Sequence, residues 1–172
     1  MTDTKISALT AASSLASTDK LVIASSGTSK SHAGNLVPGF RIGYTEFTSP
    51  VTVSATTEGS PTSVVTLGAL TYANVEYRFE FFTPRVDSGS GTAVNIVLYD
   101  STTSLGVWGV HYDPVTPSFA YTPVALVRYL TPSAGSHTYN VGAYRAASNG
   151  TIQAGVGGTA AYVPGFLRVT VA

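Results

Sequence analysis

The chain has 172 residues, of which nine are basic and nine acidic, for a formal net charge of zero. Balanced charge, with only 10% of residues charged, argues against a nucleic-acid or anionic-membrane surface, both of which need a basic face. The absence of cysteine removes disulfide frameworks and thiolate metal sites, and so few charges suit a chain whose surface is covered in an assembly.

Taken in chain order, residues 1–38 stand apart. They hold every lysine, Lys5, Lys20 and Lys30, and no aromatic residue, whereas from Phe40 onward all basic residues apart from histidine are arginines and aromatics recur. Apolar residues are sparse here: Ile6, Leu9 and Leu15, then the strand-like Leu21-Val22-Ile23, then Leu36. Ser17-Thr18-Asp19 reads as a turn, and Gly27 as a second turn from which Thr28–Lys30 pairs back as a hairpin arm. Asn35-Leu36-Val37-Pro38-Gly39 closes the segment with a breaker. Too few apolar residues are present for it to fold alone, so it is expected to dock on a partner surface. It has no apolar run long enough for a signal peptide. The division predicted is an anchoring segment, 1–38, and a knob domain, 39–172.

Beyond Phe40 the apolar period is two. Val75, Tyr77, Phe79 and Phe81 share one face of a strand, with Glu76, Arg78 and Glu80 compensating one another on the other. In Ala93–Tyr99 both faces are partly apolar: Val94, Ile96 and Leu98 on one, Ala93, Asn95, Val97 and Tyr99 on the other. Further strand-like runs are Gly43–Phe47, Val51–Thr56, Ser63–Leu67, Leu105–His111, Phe119–Val127, Thr138–Tyr144, Thr151–Val156 and Phe166–Val171. Turn-forming residues separate them, and Asn149-Gly150 is the strongest hairpin signal, predicting a type I′ turn. About ten short strands, with no helical period, predict an all-β antiparallel β-sandwich, and a jelly roll of two Greek keys fits the count. No run of about 18 apolar residues spans a membrane.

Chemistry is sparse in this pattern. None of His32, His111 and His137 sits at metal-ligand spacing from another histidine or an acid pair. His111-Tyr112-Asp113 puts an imidazole and a carboxylate on one strand face, either as a hydrogen-bonded functional pair or as a polar strand end before Pro114. The body's acids are dispersed, with nothing to single out a glycosidase pair. Gly155-Val156-Gly157-Gly158 has the letters of a dinucleotide-binding motif, but Tyr162-Val163-Pro164-Gly165 forbids the helix that motif needs. The expectation is a non-enzyme with no cofactor and no metal. The tyrosines and Trp108 are read mainly as inter-sheet core, with the remainder on a subunit or binding surface.

Lys5-Ile6-Ser7-Ala8-Leu9, an alanine-rich spacer, Thr18-Asp19-Lys20-Leu21-Val22-Ile23, Ser26-Gly27-Thr28-Ser29-Lys30 and the closing Asn35-Leu36 resemble the N-terminal segment of many tailed-phage virion proteins: tail-fibre, head-fibre and capsid-decoration proteins. Ser26-Gly27 stands where that pattern commonly has Gly-Gly, and Ser31-His32-Ala33-Gly34 where it continues with a β-branched strand. Pro164-Gly165-Phe166-Leu167-Arg168-Val169-Thr170 is similar to the last strand of trimeric fibre knobs and, more distantly, of tumour-necrosis-factor-like jelly rolls. The resemblance implies a virion location, with Ile6, Leu9, Leu15, Leu21, Val22, Ile23 and Leu36 anchoring the chain to another virion protein. It also implies a homotrimeric knob, used for capsid decoration or, alternatively, for recognising a host-surface glycan or protein. Pro84–Thr92, Asp113–Ser118 and Pro132–Ser136 are the candidate recognition loops. From the apolar pattern, Val94, Ile96 and Leu98 are the candidate trimer interface.

Overall fold

The computed structural model describes residues 38–89, 92–113 and 122–172 in full, and residues 20–25 and 28–33 as backbone. In chain order the strands are β1 (Lys20–Ser25), β2 (Thr28–Ala33), β3 (Arg41–Phe47), β4 (Val51–Val53), β5 (Thr62–Thr66), β6 (Leu70–Tyr72), β7 (Tyr77–Thr83), β8 (Arg85–Asp87), β9 (Thr92–Asp100), β10 (Thr103–Asp113), β11 (Val124–Leu130), β12 (Gly135–His137), β13 (Tyr139–Arg145), β14 (Gly150–Gln153) and β15 (Gly165–Val171).

Two four-stranded sheets form the body, ordered β11-β7-β15-β3 and β10-β9-β13-β5, with every pairing antiparallel. Numbering those eight strands by position along the chain, one sheet runs first, eighth, third, sixth and the other second, seventh, fourth, fifth. That order is a jelly roll: two Greek keys folded over one another. The chain is therefore an all-β antiparallel sandwich, as the strand spacing predicts. Short strands finish the edges, in a β4-β14-β8 sheet and a β12-β6 ribbon.

Side-chain alternation explains where the core sits. On β7, Tyr77, Phe79 and Phe81 point inward and are fully buried. Leu167, Val169 and Val171 of β15 do the same, and from the opposite sheet Val94, Ile96, Leu98, Val141 and Ala143 close against them. Each such aliphatic or aromatic side chain stabilises the fold by about 1.5–3 kcal/mol when withdrawn from water.

Val94, Ile96 and Leu98 correct the sequence reading. All three are 0% exposed within this one chain, so they are core and no neighbouring chain reaches them. Val97 and Tyr99, on the other face of β9, are buried as well. The two-sided apolar pattern arises because the chain's own 54–61 segment lies over that outer face. Tyr99 Oη donates to the Glu58 carbonyl at 2.7 Å, and a Cβ at Gly142 would stand 2.9 Å from Pro61.

Asn149-Gly150 is also different from expectation. Neither residue has positive φ, and the chain there crosses from β13 to β14 in another sheet rather than turning back on itself. Glycine is needed at 150 for closeness: a Cβ would lie 2.3 Å from Val94 Cγ2 and 2.8 Å from the Asp87 carbonyl. The tight hairpin is instead at Ser101-Thr102, between paired Asp100 and Thr103, with Ser101 at φ 54°.

In the leader, β1 and β2 form an antiparallel hairpin from Lys20↔Ala33 to Ser25↔Thr28, in a two-stranded sheet. The second arm runs past Lys30 through Ser31-His32-Ala33. Leu21, Val22 and Ile23 are in β1; Ile6, Leu9, Leu15 and Leu36 lie outside the described residues.

Candidate functional site

The outer face of the β11-β7-β15-β3 sheet is built by the residues that alternate with the core. Register aligns them in three rows across the sheet: Ala125, Phe82, Phe166, Glu46; then Val127, Glu80, Arg168, Tyr44; then Tyr129, Arg78, Thr170, Arg41. Phe82 stacks on Phe166 at 5.6 Å between centroids, and Tyr44 meets Phe166 at the same distance. Two guanidinium groups lie over rings, Arg168 over Phe166 at 5.6 Å and Arg41 over Tyr44 at 5.1 Å, an attraction between cation and ring face.

Two of the three arginines on this face share one carboxylate. Glu80, 9% exposed, accepts from Arg78 at 2.8 Å and from Arg168 at 2.7 Å. The compensation predicted for Glu76, Arg78 and Glu80 thus involves Arg168 from the next strand. Tyr44 donates to Glu46; that hydrogen bond, followed by burial, raises the Tyr44 pKa. Toward solvent the face is mixed: Arg41 and Glu46 are exposed, and so are Tyr44, Val127 and Tyr129, at 39%, 48% and 53%. On the other sheet, Val107, Val110 and Tyr112 of the edge strand β10 are also exposed, and register sets them beside Val97, Asn95 and Ala93 on that sheet's outer face. Residues 54–61 cover the β9-β13 part of that face, held by Arg145 N–H donating to the Ala55 carbonyl at 2.9 Å and Arg145 Nε–H to the Ser54 carbonyl at 3.1 Å. The chain thus covers the middle of one broad face of the sandwich and leaves the other uncovered.

The recognition loops expected from the sequence divide between the two ends of the sandwich. Thr83 pairs Val124 at one end of β7, and Tyr77 pairs Leu130 at the other. Near Thr83, part of the 84–92 segment is a strand, β8. Here Asp87 bonds Arg85 and accepts from Gln153 Nε2 at 2.9 Å, and Arg85 Nη1 donates to Tyr162 Oη at 2.9 Å.

At the same end His111 and Asp113 meet, His111 Nε2 lying 3.2 Å from Asp113 Oδ1. Ser88 N–H donates to Asp113 Oδ2 at 2.9 Å, and Asp113 N–H returns a bond to Ser88 Oγ at 2.8 Å. Burial pushes the Asp113 carboxyl up, but the Ser88 backbone bond, the Ser88 hydroxyl and His111 together outweigh it and its pKa is lowered. Because its ring is 9% exposed, this pair fastens the 88 segment to β10. Residues 114–118 are outside the described residues. Gly155, Gly157 and Gly158 belong to the β14–β15 connection, with Gly157 and Gly158 at positive φ.

Near Tyr77 lies a cluster that the sequence did not disclose. His137 Nδ1 is 2.6 Å from Asp100 Oδ2, and its Nε2 is 3.2 Å from Ser133 Oγ and 3.0 Å from the Ser133 carbonyl oxygen. The ring lies against Tyr139, nearly parallel at 5.8 Å, and edge-on to Tyr72 at 5.7 Å. Burial, then the Asp100 charge, pushes the Tyr139 hydroxyl up to about 12. Burial foremost also raises Tyr72, whose hydroxyl has no hydrogen-bond partner among the described residues. Asp100 and His137 are 37 residues apart in the chain, and only the β9–β13 pairing brings them together. Among the described residues no cluster of three or more His, Asp or Glu side chains is disposed to hold a metal.

No protein-family model matches this chain, and no curated protein does. Among solved structures it is similar to the C-terminal CBM6 of LamC, a marine laminarinase from Zobellia galactanivorans. Identity is 14%, over 74% of this chain and 98% of that one, with a TM-score of 0.29. It is also similar to a carbohydrate-binding module, CBM6cm-2, from Cellvibrio mixtus lichenase 5A in complex with cellotriose. There identity is 16%, over 93% of this chain and 91% of that one, with a TM-score of 0.28.

Proposed function

We propose that this chain is a structural protein of a tailed-phage virion, a capsid-decoration or short head-fibre protein. Its N-terminal segment docks on another virion protein, and its jelly roll is displayed as a homotrimer. The observation that carries this reading is the contrast between the two outer faces. Residues 54–61 cover Val97 and Tyr99 on one, while the other presents Tyr44, Val127 and Tyr129 around Glu80, which holds Arg78 and Arg168. A face of that kind loses little by being desolvated against a copy of itself, because its buried carboxylate keeps both partners. The hairpin β1–β2 supports the docking role, since it falls within the segment whose sequence resembles virion anchors.

The test uses particles that lack the protein. Full-length chain is expected to bind them, chain with residues 1–38 deleted is expected not to, and host cells are expected to bind neither. Adhesion to host cells without binding to particles would overturn the decoration reading in favour of a receptor-binding tail protein. Sedimentation across a range of concentrations tests the trimer, and a monomer throughout would remove it.

A further inference from the structure

We propose that Ser133, His137 and Asp100 form a nucleophilic site able to cleave a small acyl ester. A carboxylate only accepts hydrogen bonds, so the 2.6 Å contact with Asp100 Oδ2 fixes the His137 proton on Nδ1. In the neutral ring Nε2 carries the lone pair and faces Ser133 Oγ at 3.2 Å; the Ser133 carbonyl oxygen, at 3.0 Å, is its hydrogen-bond partner only when the ring is charged. This is the relation of nucleophile, base and orienting acid that activates a serine. Supporting structure surrounds each member. Asp100 is held where β9 ends, because Ser101 N–H donates to the Thr138 carbonyl at 2.7 Å and Asn140 Nδ2 donates to the Ser101 carbonyl at 2.8 Å. The His137 ring is fixed between Tyr72 and Tyr139. Ser133 itself is exposed, next to buried Pro132.

The step balances without any further reagent than water. Ser133 Oγ bonds to the acyl carbon as its proton passes to His137 Nε2. Collapse then breaks the bond from acyl carbon to alkoxy oxygen, and the Nε2 proton leaves with the alcohol. Water repeats the sequence and releases the carboxylic acid. The Ser133 carbonyl oxygen, 3.0 Å from Nε2, accepts from the ring once it is protonated, and so stabilises the imidazolium formed midway. Neither Ser133 N–H nor Ala134 N–H makes a backbone hydrogen bond among the described residues, and a developing oxyanion needs donors of that kind. An exposed serine on a turn suits a small acyl group carried on a larger molecule, such as an O-acetyl ester of a glycan.

Two measurements on the full-length protein test this. A fluorophosphonate probe is expected to label Ser133 in the unmodified chain and not in S133A. The chain contains no cysteine, so S133C carries a single thiol whose alkylation by iodoacetamide reports on the base directly. At pH 6 that thiol is expected to react at least about tenfold faster than in S133C/H137Q or S133C/D100N, since a paired imidazole favours the thiolate. An unlabelled wild-type chain overturns the proposal whatever the variants do, and so do equal alkylation rates in S133C and the two double variants. Particle binding through residues 1–38 is independent of either result.

Discussion

Arg168 and Glu80 meet across the β15–β7 pair with Nε and Nη2 of the guanidinium each 2.7 Å from one carboxylate oxygen, Oε2. Arg78 takes the other oxygen at 2.8 Å, so a single carboxylate holds two cations in place on one sheet face.

Replacing Glu80 by Gln is expected to cost about 1–2 kcal/mol in chemical denaturation, the range for hydrogen bonds to charged groups whose partners keep some solvent. The same variant leaves Arg78 and Arg168 uncompensated on the proposed contact face. It should therefore weaken self-association in sedimentation by more than its effect on folding would suggest.

Val127→Glu and Tyr129→Glu test the open face itself. Both residues are exposed in the single chain, so thermal stability of the dilute protein should change by less than about 0.5 kcal/mol. Self-association should weaken at least about a hundredfold in Val127→Glu, whose carboxylate would be buried beside Glu80, and less in Tyr129→Glu, whose carboxylate would stand across from Arg78. Unchanged association in both variants would place any subunit contact elsewhere.

Ile96→Ala distinguishes core from interface in the opposite way. Ile96 is fully buried within one chain, so its truncation should cost about 2–5 kcal/mol. That loss should be the same at every protein concentration, which equilibrium unfolding over a hundredfold range would check.

Asp113 supplies the pH dependence. Its pKa is lowered in the folded protein below the ordinary aspartate value. The stability it contributes is therefore fully present above about pH 4 and is lost as pH falls through the lowered folded value. Asp113→Asn should accordingly be less stable than wild type at pH 6, and the gap between the two unfolding curves should narrow as pH drops toward 2.5. A gap that stays constant with pH would mean that the Ser88 clamp does not depend on the charge.

The sandwich was legible because period-two alternation survives in the strands with one buried face, β7 most plainly. Legibility failed wherever a second layer belonged to the same chain. Val94, Ile96 and Leu98 read as a face for a neighbour, because nothing local in the sequence shows that residues 54–61 return to cover Val97 and Tyr99 on the other. Asn149-Gly150 misled for a related reason: the glycine answers to Val94 and Asp87, far away in sequence, and not to a turn. The strands β6, β8 and β12 are three residues each, too short for alternation to register, and they sit among turn-forming residues. The Ser133–His137–Asp100 cluster left no sequence signal, because a serine four residues before a histidine is common and the acid arrives from another hairpin.

The body begins and ends side by side: Gly39 N–H donates to the Val171 carbonyl at 2.8 Å, and Val171 N–H to the Phe40 carbonyl at 2.9 Å. The direction of a mechanical load therefore decides how the molecule resists it. Tension drawn between the two ends of the body opens β3 from β15 one hydrogen bond at a time, like a zipper. Tension drawn between Gly39 and the far end near Thr83 runs along the strands and loads many hydrogen bonds in shear together. A tether at the leader, with drag acting on the far end, engages the stronger of these two modes.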